Sequence, residues 1–315
     1  MIVLTQADVR ELLDLDALVD ALASAHAELS AGKASMPPRI AALANHEGLL
    51  GAMPSYLPST GLACKLVTLF PQNRDRHTHQ ALICVFDPDN GTPVALMDGT
   101  YITAARTAAG SALATRLLAR QDTRVLAILG SGVQARTHAD ALRRVRHFEE
   151  VRVAGRDSVK AAALAEELGA TAVASFEEAV RGADVVATTT HATEPIVLRA
   201  WLAPGCHVNS VGANPAGRGE VDPAIVRDAL VAVESRASTL APPPAGAPEF
   251  RDGAPANTVE LGELVAGTKP GRTSEDQITL YKSVGVAVQD AAAASLVLAA
   301  ARERSIGQEI QLEDR

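Results

Sequence analysis

The chain has 315 residues, 47% hydrophobic and 21% charged, the balance of a globular protein with sequence enough for more than one core. Its formal net charge of −8 argues against a nucleic-acid partner, and no apolar run approaches the roughly 18 residues that a membrane span needs. Three widely spaced cysteines (Cys64, Cys84, Cys206) form no C-x-x-C, and no basic-then-apolar leader opens the chain, so a cytoplasmic protein with reduced thiols is expected.

Ile2 to Leu4 reads as a short strand. Thr5 suits the cap of a helix over Asp8 to Leu13, and Asp14 or Asp16 that of a second helix ending near Ser30. In that helix Leu18, Ala21, Leu22, Ala25 and Leu29 recur at helical spacing, and Gly32 supplies the stop. Met36-Pro-Pro-Arg39 and Gly51-Ala-Met-Pro54 must be extended. Leu62 to Phe70 and Ala81 to Phe86 read as strands, and Asn90-Gly91 turns the second into Pro93 to Met97 as a hairpin. Residues 40–98 thus predict an antiparallel sheet, followed by a helix from Thr103 to Leu118 that carries Arg106.

Past a crossing at Arg120 to Thr123 the pattern changes. Val125 to Leu129 is an apolar run that enters Gly130-Ser131-Gly132-Val133-Gln134-Ala135, the G-x-G-x-x-A form of a dinucleotide-binding turn. Gly130 permits the tight turn, Gly132 lets backbone approach a pyrophosphate, and Ala135 lets the next helix, Val133 to Arg146, pack closely on the strand. Further strands are predicted at 151–154, 171–173, 183–188, 206–211 and 229–233, a βαβ rhythm that argues a Rossmann-type doubly wound parallel sheet. Leu240 to Pro248 is a loop, Glu260 to Val265 a short helix, and Val286 to Arg304 a long Ala-rich helix.

Several residues invite chemistry, each with an ordinary alternative. Lys65 shares a strand face with Ala63, Val67 and Leu69; it is either a solvated edge lysine or one whose pKa an apolar setting lowers for proton transfer. Arg106 lies among small residues, so its guanidinium either reaches solvent or meets an anion. Downstream, the second strand of the parallel sheet ends in Ala154-Gly155-Arg156-Asp157, where an acidic residue would select NAD; a small residue followed by Arg156 favours NADP(H), with NAD(H) the alternative. Asp157 reads as a helix cap. Thr188 and Thr189 end a strand where open α/β sheets bind ligands, so their hydroxyls are cofactor candidates. His77 and His79 lack partners at zinc spacing, and no metal site is expected.

Taken in order, Gly61-Leu-Ala-Cys-Lys65, Phe70-Pro71-Gln-Asn73, Asp98-Gly99, Ile102-Thr-Ala-Ala-Arg106-Thr107, the glycine turn, Val211-Gly-Ala-Asn214, Glu260-Leu-Gly-Glu263, Gly271-Arg272 and Lys282-Ser-Val-Gly285 resemble the ornithine cyclodeaminase/mu-crystallin family. The resemblance implies a homodimer in which residues 1–119 and 288–315 form a substrate-binding α+β domain around an inserted Rossmann domain, 120–287. It implies hydride transfer at the C–N carbon of a small amino or imino acid held between the domains. Lys65 would manage protons, Arg106 and Arg39 would bind the carboxylate, and Met53 would line the site. Thr107, the glycine turn and Ser283-Val284-Gly285 would hold the nicotinamide cofactor. Asn214, placed by the resemblance in the catalytic site, departs from the family: ornithine cyclodeaminases carry an aspartate there, and an amide cannot act as a base near neutral pH, although it can orient a substrate or water by hydrogen bonds. The expectation is therefore an imine reductase or amino-acid dehydrogenase, with a true ornithine cyclodeaminase or a non-catalytic nicotinamide-dependent ligand-binding protein as alternatives.

Overall fold

Short polar motifs start the first helices. β1 (Ile2–Leu4) ends at Thr5, whose hydroxyl accepts from Asp8 N while the Asp8 carboxylate accepts from Thr5 N. This box opens α1 (Gln6–Leu12). Asp14 caps α2 (Leu15–Ser30), which buries Leu15, Leu18, Val19, Leu22 and Ala25. The computed structural model describes residues 1–44, 48–212, 217–242, 245–251 and 253–312. It divides into two units, Met1–Arg106 with Val286–Arg315, and Thr107–Gly285.

In the first unit β2 (Ile40–Ala44), β3 (Gly48–Leu57), β4 (Gly61–Leu69), β5 (His79–Phe86) and β6 (Pro93–Asp98) form an antiparallel run. These strands, all within residues 40–98, are antiparallel as predicted; β1 joins alongside β6 in parallel, so the complete sheet is mixed. Gly51-Ala-Met-Pro54 is the middle of β3. Pro54 is tolerated because β2 pairs only as far as Ala52, which leaves the proline's missing N–H on an unpaired stretch of edge. α3 (Gly99–Leu118) starts four residues earlier than its apolar pattern suggests. A Cβ on Gly99 would lie 2.9 Å from that of Ala81, so only glycine admits the close start, and Asp98 accepts from Tyr101 N in the first turn.

The second unit starts within α3, at Thr107. Its sheet is built from β7 (Val125–Leu129), β8 (Glu150–Ala154), β9 (Thr171–Ala172), β10 (Val185–Thr188), β11 (His207–Ser210), β12 (Leu230–Val233), β13 (Thr258–Glu260) and β14 (Thr279–Lys282). The order β13-β12-β14-β11-β10-β7-β8-β9 is parallel at every pairing. Helices α4 (Val133–Val145), α5 (Ser158–Leu168), α6 (Phe176–Val180), α7 (Pro223–Asp228), α8 (Arg236–Thr239) and α9 (Leu261–Val265) connect the strands. Apolar strands buried on both sides fill the core with Ala, Val and Leu, as the scarcity of aromatics requires. The final helix, α10 (Ala287–Arg304), belongs to the first unit, where it packs on α2, β3 and β4; β15 (Gln308–Glu309) then pairs with β1. No helix among the described residues is long and apolar enough to cross a membrane.

Candidate active site

In the first unit, strand alternation decides which side chains meet. Met53, Lys65 and Ile83 lie directly opposite one another on β3, β4 and β5, and all three are buried. Lys65 is only 2% exposed, so it is not the solvated edge residue that its type suggests. Its Nζ lies 2.7 Å from Asp290 Oδ2, in the first turn of α10. The other oxygen of Asp290 accepts from Arg106 Nε at 3.2 Å, and Arg106 Nη1 donates to Gln289 Oε1 at 3.2 Å. Gln289 Nε2 in turn donates to His26 Nε2 on α2, at 3.1 Å.

Burial pushes the Lys65 ammonium down from 10.5 to about 8; Asp290 opposes that shift, while Arg106 and then Arg39 add to it. Arg39 is exposed just before β2, yet its charge is felt at Lys65. Lys65 and Arg106 thus share a single carboxylate, Asp290, and the three groups together retain positive charge. Such a set suits an anion, and a lysine near 8 can give or take a proton close to neutral pH. The structure brings Lys65, Arg106 and Met53 together, with Arg39 near enough for its charge to act on Lys65. Asp290, Gln289 and His26 join them unforeseen. The only sequence signal was a glutamine and a carboxylate between Val288 and the run Ala291–Ala294, inside a helix otherwise small and apolar. Asn214 lies outside the described residues.

The second unit holds the glycine turn at the end of β7, beside β10, where the strand order reverses. Gly130 has φ of +125°, and a Cβ there would lie 2.5 Å from Thr189 Oγ1. Gly132 is the N-cap of α4 and makes no side-chain cap hydrogen bond. A Cβ on Gly132 would meet open space, Ser131 and Gln134 are partly exposed, Val133 is exposed and Ala135 is fully buried. A helix start left uncapped beside open space fits a dinucleotide's pyrophosphate. Arg156 is exposed, whereas Asp157 is occupied as the cap of α5 through Lys160 N.

The threonines and the 283–285 segment are held differently from expectation. Thr188 is fully buried and its hydroxyl donates to Glu220, while Thr189 Oγ1 donates to the Leu129 carbonyl. Both hydroxyls are committed within the protein, so these residues shape the turn and do not present free donors. Thr107 is 8% exposed, on α3. Ser283 Oγ and the N–H groups of Val284 and Gly285 all donate to the buried carboxylate of Glu234. Glu220 also accepts from Thr190 and from Gly212 N. Lys282, paired with Glu249 at 2.9 Å, donates to the Gly212 carbonyl and Ser210 Oγ. No sequence pattern marked these acids. Among the described residues no group of three or more His, Cys, Asp and Glu is arranged to hold a metal.

A sequence profile of the ornithine cyclodeaminase/mu-crystallin family matches residues 1–305. The chain belongs to that family. Among its relatives is the ketimine reductase mu-crystallin of Mus musculus, 41% identical over 264 residues, 81% of each protein. Among solved structures, Delta(1)-pyrroline-2-carboxylate reductase of Thermococcus litoralis, in complex with NADH and L-proline, superposes with a TM-score of 0.88 at 34% identity, covering 98% of this chain and 100% of that one. An archaeal alanine dehydrogenase dimer with bound NAD gives 0.88 at 32% identity, covering 99% of both. Family membership accounts for a Rossmann-type unit alongside a mixed-sheet unit.

Proposed function

We propose that this chain is a nicotinamide-dependent enzyme transferring hydride at the α-carbon of a small imino or amino acid, with imine reduction the main activity. The observation that carries this reading is the buried Lys65–Asp290–Arg106 group with its surplus of positive charge. Arg106 and Arg39 attract the substrate carboxylate. Met53 and Ile83, flanking Lys65, give the hydrocarbon part an apolar wall. Lys65 supplies a proton to the nitrogen during reduction, or accepts one during oxidation. The glycine turn, Gly130 to Ala135, holds the pyrophosphate, with Thr107, Thr188, Thr189 and Ser283 to Gly285 framing the rest of the cofactor site. When bound, the nicotinamide supplies or accepts the hydride. Arg156, exposed after a small residue while Asp157 is spent as a cap, favours NADP(H) over NAD(H). Asn214, where cyclodeaminases have a carboxylate, directs the reading away from ring closure of ornithine.

Purified protein given Δ1-pyrroline-2-carboxylate or Δ1-piperideine-2-carboxylate should oxidise NADPH. Lys65→Met should lower kcat/KM at least about 100-fold with dinucleotide binding kept. Proline and ammonia from ornithine, with catalytic amounts of cofactor, would replace this reading by cyclodeamination. Tight cofactor binding without turnover would replace it by a ligand-binding role. Arg156→Ala should cut the preference for NADPH over NADH about tenfold.

The working form we propose is a homodimer. Ile40, Leu66 and Leu82 sit in one row across the outer side of the first unit's sheet, with Leu50 and Tyr56 on the same side, and all five are exposed. Apolar patches of this kind on a sheet face mark association. Cys64, Cys84 and Cys206 are free thiols, which fits the reducing cytoplasm as its place of work.

A further inference from the structure

The helix that follows Gly285 brings one carboxylate to the centre of the first unit's charge cluster. Asp290 is 1% exposed and each of its oxygens meets a different cation, Oδ2 the Lys65 ammonium at 2.7 Å and Oδ1 Arg106 Nε at 3.2 Å. Its neighbour Gln289 takes Arg106 Nη1 and is itself anchored on His26. Two consecutive side chains of α10 therefore fix the guanidinium at two nitrogens, and one of them also fixes the ammonium.

We propose that Asp290 is a positioning residue for both Lys65 and Arg106, keeping the ammonium protonated and the guanidinium turned so that an imino acid meets a proton donor and an anion clamp together. This rests on the imino-acid reading of the same site. The charges that face Lys65 come from several elements: Asp290 on α10, Arg106 on α3 and Arg39 ahead of β2, with His26 of α2 reached through Gln289. Met53 and Ile83 on the adjoining strands are apolar. Among these groups Asp290 is the one anion. Without it Lys65 would face burial and the charges of Arg106 and Arg39 unopposed, and would hold its proton less firmly. Reduction needs that proton. The hydride electron pair forms the new C–H bond, the π pair of C=N moves to nitrogen, and there takes up the Lys65 proton. Neutral Lys65 is then reprotonated from solvent. Asp290 is not consumed and touches no reacting atom; it acts through the two side chains it holds.

The test compares wild type with Asp290→Asn and Asp290→Glu over pH 5.5 to 10 (roughly the range in which a lysine near 8 titrates). The readouts are kcat and KM for Δ1-piperideine-2-carboxylate reduction and calorimetric binding of pyrrole-2-carboxylate, a planar carboxylate that cannot be reduced. In wild type, kcat/KM and binding should both decline as pH rises through about 8. In Asp290→Asn both declines should move at least about one pH unit towards acid, with the thermal transition still cooperative. Asp290→Glu should keep the decline near 8 but raise KM about tenfold, because the charge is retained and its placement is not. Should Asp290→Asn fail to fold, the glutamate variant decides: unchanged KM and kcat overturn the proposal. So does an asparagine variant that folds and keeps its pH profile within about 0.3 units of wild type. Absence of both turnover and binding in wild type would instead overturn the imino-acid reading.

Discussion

At Lys65 burial, one carboxylate and two guanidinium groups act on a single proton, and their balance sets it near 8. The sign gives opposite profiles for the two directions of reaction. Reduction, which needs the ammonium, should fall as pH rises through about 8, while oxidation, which needs the free amine, should rise through the same value. Initial-rate measurements in both directions check this. Two other buried residues make a stability prediction. His138 Nδ1 donates to the Gln134 carbonyl and Nε2 accepts from Ser111, so the ring is neutral, and burial holds its pKa down at about 4. His207, wedged between Thr279 and Asn209, is held at about 3 by burial and then by Arg272. The unfolded chain would protonate both near 6.5, so stability should be full above that pH and fall as pH drops from about 6.5 towards 4. The loss is on the order of 3 kcal/mol for each ring. Thermal melts across this range should show it, with a smaller decline in His138→Gln. Lys65 and Arg106 were legible because they sit in recognisable local motifs. Asp290 was not, since its partners come from β4 and α3, and nothing in a local pattern announces a charge pair closed over such a distance in the chain.

Among the elements, the β7–α4 turn is the part whose sequence and geometry agree most closely. Gly130 needs both a positive φ and the absence of a Cβ beside Thr189. Gly130→Ala should therefore destabilise the second unit by about 1–3 kcal/mol and weaken NADPH binding, both measurable by denaturant titration and fluorescence. Strands with continuous apolar runs, such as Val125–Leu129 and Val185–Thr188, could be read directly. β13 and β14 could not: Thr258-Val-Glu260 and Thr279-Leu-Tyr-Lys282 carry polar residues inward, satisfied by other polar groups. Tyr281 donates to Glu234 and Lys282 pairs with Glu249, so burial of β14 depends on partners drawn from other loops. β3 was disguised by Gly51 and by Pro54, the latter tolerated because β2 pairs only as far as Ala52.

For the whole molecule, the outward row of Ile40, Leu66 and Leu82 makes association the expected state. If the proposed dimer forms through this row, the wild type should sediment as a dimer in analytical ultracentrifugation and Leu66→Arg combined with Leu82→Lys as a monomer. Since both side chains point away from the first unit's core, each monomer should retain its secondary structure. The change of hydrophobic period after Leu118, from hairpin alternation to buried parallel strands, separates two kinds of sheet; the units themselves divide at Arg106, within α3, where no pattern changes.

The route of the chain adds a constraint on its synthesis. α10 leaves the ribosome after all of Thr107–Gly285, yet the Lys65 strand needs that helix both for its cover and for the counter-ion Asp290. A nascent chain halted at Gly285 would carry a finished nucleotide-type sheet and an N-terminal sheet without its α10 cover over β4 and with clustered cations. Premature termination there should yield a protease-sensitive product held by chaperones, even though most of the polypeptide is already made.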